Sequence, residues 1–306
     1  MSANAPVLVT GAGGGVGGVS RIVVELLRER NVPVRAMVHR DDERADHLRR
    51  LGAQVVVGDL TRPTDVAEAL DGVGRMFFSM SVAPSYLEAT ATVATVARTL
   101  GGIEALVGIS QMTVSQMTAV SIEESRQQRL HWLSDQVLDW STLPVVHVRP
   151  TTFLNNPLFT TLVARSIADE GTLRLPFGSG RTSPIAAVDV ARVVATILQD
   201  PRQHIGQVYE LTGPRSQDMI CVAEEYSRAL NTPVSYVDVP LDLWAEQVAA
   251  NAGLAPHAYQ HIVTMARLHR QNRYDRSTNT VERITGTPAQ TIEDFVAQRA
   301  ELFTNR

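Results

Sequence analysis

A glycine-rich turn near the start of the chain constrains the fold more than any other feature. Residues 10–17 read Thr-Gly-Ala-Gly-Gly-Gly-Val-Gly, and they separate a short apolar run at 6–10 from a segment at 16–30 with helical spacing of its apolar residues. Glycine at every third position from Gly11 to Gly17 lets the backbone turn tightly and lets the helix pack closely on the strand. The order strand, glycine turn, helix is typical of the first unit of a parallel α/β sheet.

Short runs rich in Val, Ile and Leu alternate with helical patterns as far as about residue 150. Strands that are apolar throughout are buried on both faces, and they therefore form a parallel sheet with helices on both sides. The predicted fold class is α/β, a doubly wound parallel sheet of the Rossmann type. We predict strands at 6–10, 33–38, 53–57, 74–79, 103–109 and 144–148, and helices at 16–30, 41–51, 63–70, 84–100 and from a capping box at 121–124 to about Trp140.

The same turn indicates a bound dinucleotide, because unpaired N–H groups at the helix start can bind a pyrophosphate. Where an NAD site usually has a carboxylate for the ribose, the second strand ends in His39 and Arg40, which suit the 2′-phosphate of NADPH. In the alternative, Arg40 is a solvated surface charge and Asp41 or Asp42 binds the ribose. We predict NADPH in preference to NAD. The cofactor residues assigned here are Thr10, Gly11, Gly13, Gly14, Gly15, Val16, Gly17, His39 and Arg40.

Polar residues follow the later strands, at the edge where parallel sheets bind ligands. Asp59 either approaches the adenine or helps to cap the next helix. Ser110 either hydrogen-bonds the substrate or nicotinamide, or caps a loop. For the serines after the fourth strand, the start of a polar loop is the alternative explanation. The cofactor residues assigned from these strand ends are Asp59, Leu60, Ser79, Met80 and Ser81.

The alternation stops after Pro150. We expect residues 1–155 to form the dinucleotide-binding domain, with elements of 183–212 returning to it. Residues 156–182 and 213–306 are predicted to form a smaller, mostly helical substrate lobe. Its predicted helices are 158–169, 216–230, 241–251, 256–270 and 289–303, with a further helix at 189–199, strands at 207–212 and 235–239, and a loop at 171–181.

Composition excludes several classes of partner and chemistry. The formal net charge is −4 and no basic run occurs, which argues against nucleic acid and anionic membranes. The N-terminus lacks an export pattern and the chain has one cysteine, Cys221, so we expect a cytoplasmic, reducing location. All 28 basic residues are arginine, and no step can therefore use a lysine amine.

These features together resemble the NmrA-like group of atypical short-chain dehydrogenase/reductases. The segments 131–135 (His-Trp-Leu-Ser-Asp) and 148–155 (Val-Arg-Pro-Thr-Thr-Phe-Leu-Asn) are similar to landmarks of that group, as are 183–190, 209–214 and 281–288. The resemblance spans most of the chain. It implies a fold shared with dye reductases, quinone oxidoreductases and non-catalytic redox sensors. It also implies that the backbone from Pro150 to Phe153 lies beside the nicotinamide, although Phe153 is equally compatible with a core position.

The chain departs from the larger superfamily in its acid–base residues. The usual Tyr-x-x-x-Lys pair is excluded, because there is no lysine, and no tyrosine between Tyr86 and Tyr209. Where some relatives have a lysine, this chain has Asp135, which shares a helix face with His131 as a proton relay or a structural pair. The candidate catalytic residues are Ser110, His131 and Asp135, the candidate substrate contacts are Tyr86, Gln111, Met112 and Tyr259, and the candidate proton donors are Tyr86, Tyr259 and Tyr274.

His257 and His261 have a spacing that can bind zinc, but the sequence offers no third ligand, so we predict no metal. Without a Tyr/Lys pair, hydride transfer is easiest to an acceptor that delocalises the developing charge. The predicted function is an NADPH-dependent oxidoreductase acting on a small quinone, enone, imine-like or carbonyl compound. The alternative is a non-catalytic NADP(H) sensor that acts through a protein partner. A homodimer is left open.

Overall fold

The structure is a computed structural model, and it describes residues 5–14, 18–251 and 253–304. In the first half, strands and helices alternate as the sequence predicts. The elements are β1 (Val7–Thr10), α1 (Val19–Glu29), β2 (Val34–Val38), α2 (Glu43–Arg50), β3 (Gln54–Val57), α3 (Pro63–Leu70), β4 (Arg75–Phe78), α4 (Tyr86–Leu100), β5 (Ala105–Ile109), α5 (Arg126–Trp140) and β6 (Val145–Pro150).

The second half adds one strand to this sheet and builds a lobe. A short π-helical segment, Leu158–Val163, leads into α6. The remaining elements are α6 (Ala164–Glu170), β7 (Thr172–Leu175), α7 (Ala187–Gln199), β8 (Val208–Leu211), α8 (Met219–Leu230), β9 (Ser235–Asp238), α9 (Leu241–Asn251), α10 (Pro256–Arg270), α11 (Thr280–Thr285) and α12 (Ile292–Ala297).

The main sheet has seven parallel strands in the order β3-β2-β1-β4-β5-β6-β8. The strand order reverses between β1 and β4, and ligands of doubly wound sheets bind at such a point. The chain from β7 onward returns to the sheet through α7, which packs against α1, and through β8, which pairs with β6. The predicted doubly wound fold with a helical C-terminal region is therefore confirmed.

Each face of the sheet has its own apolar core, and the lobe has a third. One cluster joins the sheet to α1 and α7, through residues such as Val23 and Val194, and a second joins it to α3, α4 and α5. The lobe cluster includes Phe177, Tyr226 and Phe295. Each layer thus buries its own apolar side chains. The lobe is positioned above the strand ends by the packing of α10 on α5. No helix among the described residues is long and apolar enough to cross a membrane.

Five predictions of local structure were wrong. Helix α8 starts at Met219, three residues later than predicted. Helix α5 begins at Arg126, with Ser125 and Gln128 as its capping box, because Ser121 belongs to a turn with Thr118. The predicted loop at 171–181 contains β7, which pairs with β9 about sixty residues later. The last predicted helix is the shorter α12 followed by a 3₁₀ turn, and α11 was missed. Helix α1 starts at Val19, three residues later than predicted.

Candidate functional site

A cavity of about 490 Å³ lies between the carboxyl ends of the strands and the lobe helices. It begins at the glycine turn, passes the ends of β4, β5 and β6, and ends under α9 and α10. Its size is within the range of small-molecule sites. Among the predicted site residues, those that line it are Gly11, Gly14, Ser79, Met80, Ser81, Tyr86, Ser110, Gln111, His131, Pro150 and Phe153.

The glycine turn is fixed to the end of β4. The Thr10 hydroxyl donates to the Ser79 carbonyl oxygen at 2.8 Å and accepts from the Ser79 N–H at 2.9 Å. Gly11 has a φ of 69°, and a Cβ there would lie 2.7 Å from the same carbonyl oxygen, which excludes any larger residue. Thr10 is fully buried and its hydroxyl is committed to these bonds. We therefore correct its role from cofactor contact to support of the turn.

The start of α1 completes the phosphate end of the cavity. Its N-cap is Gly18, in the left-handed conformation, and no described side chain caps the helix, so its first N–H groups are available to an anion. Gly18, Val19 and Ser20 line the cavity, although the sequence analysis did not select them. The predicted contacts Gly15, Val16 and Gly17 lie outside the described residues.

Arginines surround the position expected for the ribose. His39 and Arg40 are exposed just beyond β2, as predicted. Arg44, in α2, donates to the carbonyl oxygen of Gly13 at 2.7 Å, and sequence reasoning missed it. Asp42 pairs with Arg44, whose hydrogen bonds lower the pKa of Asp42 to about 2.

The carboxylates considered as alternative ribose ligands are both engaged with arginines. Asp41 pairs with Arg49 at 2.7 Å, and this bond lowers the pKa of Asp41. Asp42 also caps α2, because its side chain accepts the N–H of Arg44. Arg40, unlike Arg44 and Arg49, forms no ion pair with any described residue, so its positive charge is not neutralised by a neighbouring carboxylate.

Asp59 and Leu60 do not line the cavity. The Asp59 carboxylate accepts from the N–H and hydroxyl of Thr61, at 2.9 and 2.8 Å, and these bonds lower the pKa of Asp59. It therefore stabilises a turn, and α3 has Arg62 as its N-cap without a side-chain bond. Leu60 is half-buried and packs under the sheet. Asp59 therefore does not cap α3, and its approach to the adenine stays a prediction.

Ser110 is held by a buried ionic network. Its hydroxyl donates to Asp135 at 3.1 Å, and Asp135 also pairs with Arg149 at 2.9 Å. His147 lies 3.4 Å from the other carboxylate oxygen. Burial works to raise the pKa of Asp135, but His147 and Arg149 outweigh it, and the pKa is lowered. Asp135 is therefore ionised and positions Ser110, whose lone pairs remain available to the cavity.

The predicted pair of His131 and Asp135 is wrong as a hydrogen-bonded relay. The ring nitrogens of His131 instead contact the amides of Gln111 and Gln127, both at 2.8 Å. Burial lowers the pKa of His131 to about 4, so the ring is neutral at physiological pH. Because both ring nitrogens are engaged by the two amides, His131 fixes the position of Gln111 and has no nitrogen free to act as an acid or to contact a ligand.

The predicted substrate contacts divide into two groups. Tyr86 and Gln111 line the cavity, but the Tyr86 hydroxyl donates to the Ile109 carbonyl oxygen at 2.8 Å and is not free to donate to a ligand. Met112 is fully buried against Tyr274, and Tyr259 packs on the lobe core. Neither of these two lines the cavity, so we correct their predicted placement, which local sequence could not resolve.

The lobe supplies two polar cavity residues that the sequence analysis had not assigned to the substrate. His261 contacts the Ser125 hydroxyl through Nδ1 at 2.7 Å, and that hydroxyl also accepts the Gln128 N–H. The Ser125 hydroxyl thus joins His261 to the capping box at the start of α5. Burial lowers the pKa of His261 to about 3. Tyr274, the second residue, also lines the cavity.

The histidine pair considered for zinc has other partners. His257 contacts Gln127 at 2.7 Å, while His261 contacts Ser125. No group of three or more His, Cys, Asp or Glu that could hold a metal ion occurs in the part of the chain that the structure describes. The i, i+4 spacing instead places both side chains on the face of α10 that packs on α5.

The doubly wound sheet, the glycine turn and the cavity at the reversal of strand order define a dinucleotide-binding protein. Residues 11–201, more than half of the chain, match the model of a family described as NAD(P)H-binding. The chain belongs to this family. The residues at the glycine turn fit a dinucleotide, because the start of α1 opens on the cavity at Gly18 and Arg44 contacts the Gly13 carbonyl oxygen.

Individual relatives agree with this assignment. The chain is 30% identical over 292 residues to an NAD(P)H azoreductase of Xenophilus azovorans, covering 95% of this chain and 97% of that one. An NADPH-dependent quinone oxidoreductase of Escherichia coli, solved with NADPH, superposes with a TM-score of 0.81 at 19% identity, over 96% and 99% of the two chains. The negative transcriptional regulator NmrA, solved with NADP, gives a TM-score of 0.80 at 16% identity, over 96% and 95%. The chain therefore has the fold of the NmrA structure, as the sequence resemblance implied.

Proposed function

We propose that the protein is an NADPH-dependent reductase that passes hydride to a small, flat, conjugated acceptor such as a quinone or an azo compound. The observation that carries this proposal is the continuity of the cavity. One space joins the glycine turn to an apolar roof under α9 and α10, so a cofactor and an organic acceptor can lie in contact. The roof residues are Leu162, Val248, Leu254, Ala258, Ile262 and Met265.

The lack of a free proton donor of the usual Tyr/Lys type favours an acceptor that delocalises charge. The chain has no lysine, and the Tyr86 hydroxyl is committed to a backbone carbonyl. Reduction of a simple ketone requires a placed acid, whereas a quinone or azo compound spreads the developing negative charge over several atoms. Bound NADPH would supply the hydride, and the chain would supply orientation and exclusion of water. The azoreductase and quinone oxidoreductase among the similar proteins support this acceptor class.

We further propose NADPH rather than NADH as the preferred cofactor. Arg40 and Arg44 flank the ribose position, and both nearby carboxylates are paired with arginines. A 2′-phosphate would therefore meet cationic groups, whereas a 2′-hydroxyl would find no free carboxylate among Asp41 and Asp42.

The test is a panel assay with purified protein. NADPH consumption is followed at its absorbance maximum with quinones, azo dyes, enones and simple ketones at matched concentrations. We expect turnover of the quinones and azo dyes, and none of the ketones. A lack of turnover with every conjugated acceptor would refute the reductase.

A pair of variants tests whether the cavity holds the acceptor. Ala258→Trp places a large ring in the roof, and it should lower acceptor turnover at least about ten-fold while leaving NADPH affinity unchanged, because the two ligands occupy opposite ends of the cavity. Ala255→Trp is the matched control, since Ala255 is exposed at the N-cap of the same helix. Equal turnover by the two variants would place the acceptor elsewhere.

The redox sensor considered from the sequence predicts a different set of results. It requires unequal dissociation constants for NADPH and NADP⁺, and it needs no acceptor site. The volume under the lobe favours the reductase. Calorimetry with both cofactor forms, combined with the acceptor panel, separates the two functions.

A further inference from the structure

One ring nitrogen of His261 has no protein partner at the place where the lobe covers the cavity. His261 lies in α10, is 7% exposed and lines the cavity. Its Nδ1 contacts the Ser125 hydroxyl at 2.7 Å, whereas Nε2 makes no hydrogen bond with a described residue. Unlike the hydroxyls of Tyr226 and Tyr274, Nε2 also keeps accessible surface. Because the residue is otherwise enclosed, a polar ring atom is accessible from the cavity.

The orientation of the His261 ring is fixed by its contact with Ser125. Ser125 is fully buried and is the N-cap of α5. Its hydroxyl accepts the Gln128 N–H at 3.1 Å, and the Gln128 side chain accepts the Ser125 N–H at 2.8 Å. Nδ1 of His261 is therefore tied to a rigid point of the fold, and Nε2 has a defined position before any ligand binds. Such preorganisation favours a directional hydrogen bond to a ligand.

The other two strongly buried histidines have partners on both ring nitrogens. Glutamine amides engage both nitrogens of His131. His269 contacts the Met265 carbonyl oxygen at 2.7 Å and the Thr152 hydroxyl at 3.2 Å. Buried polar atoms are normally paired with protein, water or ligand. His261 differs from these two residues in having a nitrogen that a molecule in the cavity can pair.

We propose that Nε2 of His261 forms a hydrogen bond with the polar atom of the acceptor, a quinone oxygen or an azo nitrogen, under the lobe. This inference rests on the proposed function and makes His261 a substrate-binding residue that determines specificity. Ala258, Ile262 and Met265 line the cavity on the same helix and can contact the apolar rings of the acceptor. One face of α10 thus recognises both the apolar and the polar part of the molecule.

A neutral imidazole fits this role. Burial, together with the nearby His131 and His257, lowers the pKa of His261 to about 3, so no charge has to be desolvated when an uncharged acceptor covers the ring. A neutral imidazole carries its proton on either nitrogen, and the Ser125 hydroxyl can donate to Nδ1 or accept from it. A bound quinone oxygen would select the form with the proton on Nε2, in which Ser125 donates to Nδ1.

The experiment uses one substitution at two positions and two ligands of similar shape. His261→Asn keeps a polar group near Nδ1 and removes Nε2. His257→Asn is the matched control, because His257 lies one turn earlier in α10 and does not line the cavity. The ligands are 2-methyl-1,4-naphthoquinone and 2-methylnaphthalene, which has the same carbon skeleton without the oxygens. Calorimetry measures the dissociation constant of each ligand for the NADP⁺-loaded protein.

We expect His261→Asn to weaken quinone binding by about three- to ten-fold, as loss of one hydrogen bond predicts, and to leave binding of the hydrocarbon unchanged. The kcat/KM for the quinone with NADPH should fall by a similar factor. His257→Asn should match the wild type with both ligands. Should His261→Asn fail to fold, as judged by thermal melting, His261→Leu fills more of the ring volume and allows the same comparison.

Equal quinone binding by the wild type and His261→Asn would overturn the inference. Equal weakening of the quinone and the hydrocarbon would also overturn it, because the loss would then be structural, and so would the same loss in His257→Asn. A wild type that binds quinone without turnover would refute the reductase alone, and the difference between the two ligands would still decide the role of His261. Absence of quinone binding to the wild type would overturn both.

Discussion

Arg44 lies in the first turns of α2, where it donates to the Gly13 carbonyl oxygen and pairs with Asp42. Its guanidinium thus connects the glycine turn to the segment after β2, which is the position that distinguishes NADP from NAD in related folds. His39 and Arg40 were predicted as cofactor contacts because they follow the second strand. Arg44 was missed, since only the turn of α2 brings it back to the glycine loop.

Arg44→Ala and Arg40→Ala should each weaken NADPH binding by about ten-fold or more, because a charge-assisted bond to phosphate contributes roughly 1.5–3 kcal/mol. NADH binding should change little in either variant, because NADH lacks the 2′-phosphate and Asp42 still caps α2 through the backbone N–H of residue 44. Fluorescence titration with each cofactor measures both constants. Arg50→Ala, an exposed change in the same helix, is the control. Equal losses for NADPH and NADH would disprove the 2′-phosphate assignment.

A buried carboxylate in α8 connects this helix to the loop before it and to α12. Glu225 is 2% exposed, and it accepts hydrogen bonds from Arg215 at 2.7 Å, from Gln217 at 2.6 Å and from the backbone N–H of Glu293 at 2.9 Å. These partners lie in the loop before α8 and in the first turn of α12. The carboxylate therefore positions two elements that adjoin the lobe core. It also accepts a backbone N–H in the first turn of α12, which stabilises the start of that helix.

Glu225→Ala should lower the free energy of unfolding by about 2 kcal/mol or more, because the Gln217 amide and the Glu293 N–H lose their acceptor. Glu224→Ala changes the exposed neighbour on the same helix and should have little effect. Urea denaturation of both variants measures the difference. Similar midpoints for the two would show that the buried network does not stabilise the lobe.

Three buried histidines link the stability of the whole molecule to pH. Burial lowers the pKa of His131 to about 4, and the pKa values of His261 and His269 to about 3. The unfolded chain binds protons at these residues below about pH 6.5, whereas the folded chain does not. Their stabilising contribution is thus complete above that pH and is lost as the pH falls. His147 has the opposite sign, because its pKa is raised, and its contribution is lost as the pH rises through that folded value.

Between pH 6.5 and 5, the free energy of unfolding should fall by about 1.4 kcal/mol for each buried histidine and each pH unit. Urea midpoints measured across this range test the prediction. His261→Gln should make the slope shallower, since one of the groups whose pKa is lowered by burial is removed. Ala255→Gln, at an exposed position that cannot titrate, should leave the slope unchanged. A flat profile in the wild type would show that these rings are protonated in the folded protein.

Much of the fold could be predicted from the sequence. The alternation of apolar runs and helical patterns gave β1 to β6 and their helices, because burial on both faces of a parallel strand leaves a local pattern. Helix α3, and α9 and α10 in the lobe, were predicted with their observed bounds. Strand β7 could not be predicted, since its four residues gain their hydrogen bonds from β9, far along the chain. Helix α5 was placed too early because two serines could each begin it.

The positions of several site residues could also be predicted from the sequence, but their side-chain partners could not. Gly11, Ser79 and Ser110 were predicted at the ligand edge, since strand ends share one edge of a parallel sheet. Pro150 was placed there by the resemblance to the NmrA-like group, and it also lines the cavity. The partners of a side chain were not predictable. The sequence suggested that His131 faces Asp135. In the structure Asp135 pairs with Arg149, and the ring of His131 contacts two glutamine amides.

The sequence by itself determined the sheet, the phosphate-binding turn and the absence of a Tyr/Lys pair, because each depends on residue identity or on spacing over a few residues. Only the tertiary structure decided that His261 and Tyr274 reach the same cavity as Ser110, which lies about 150 residues earlier. The physical reason is that side chains so distant in the chain meet through burial of the lobe on the sheet, and burial depends on the packing of all layers together.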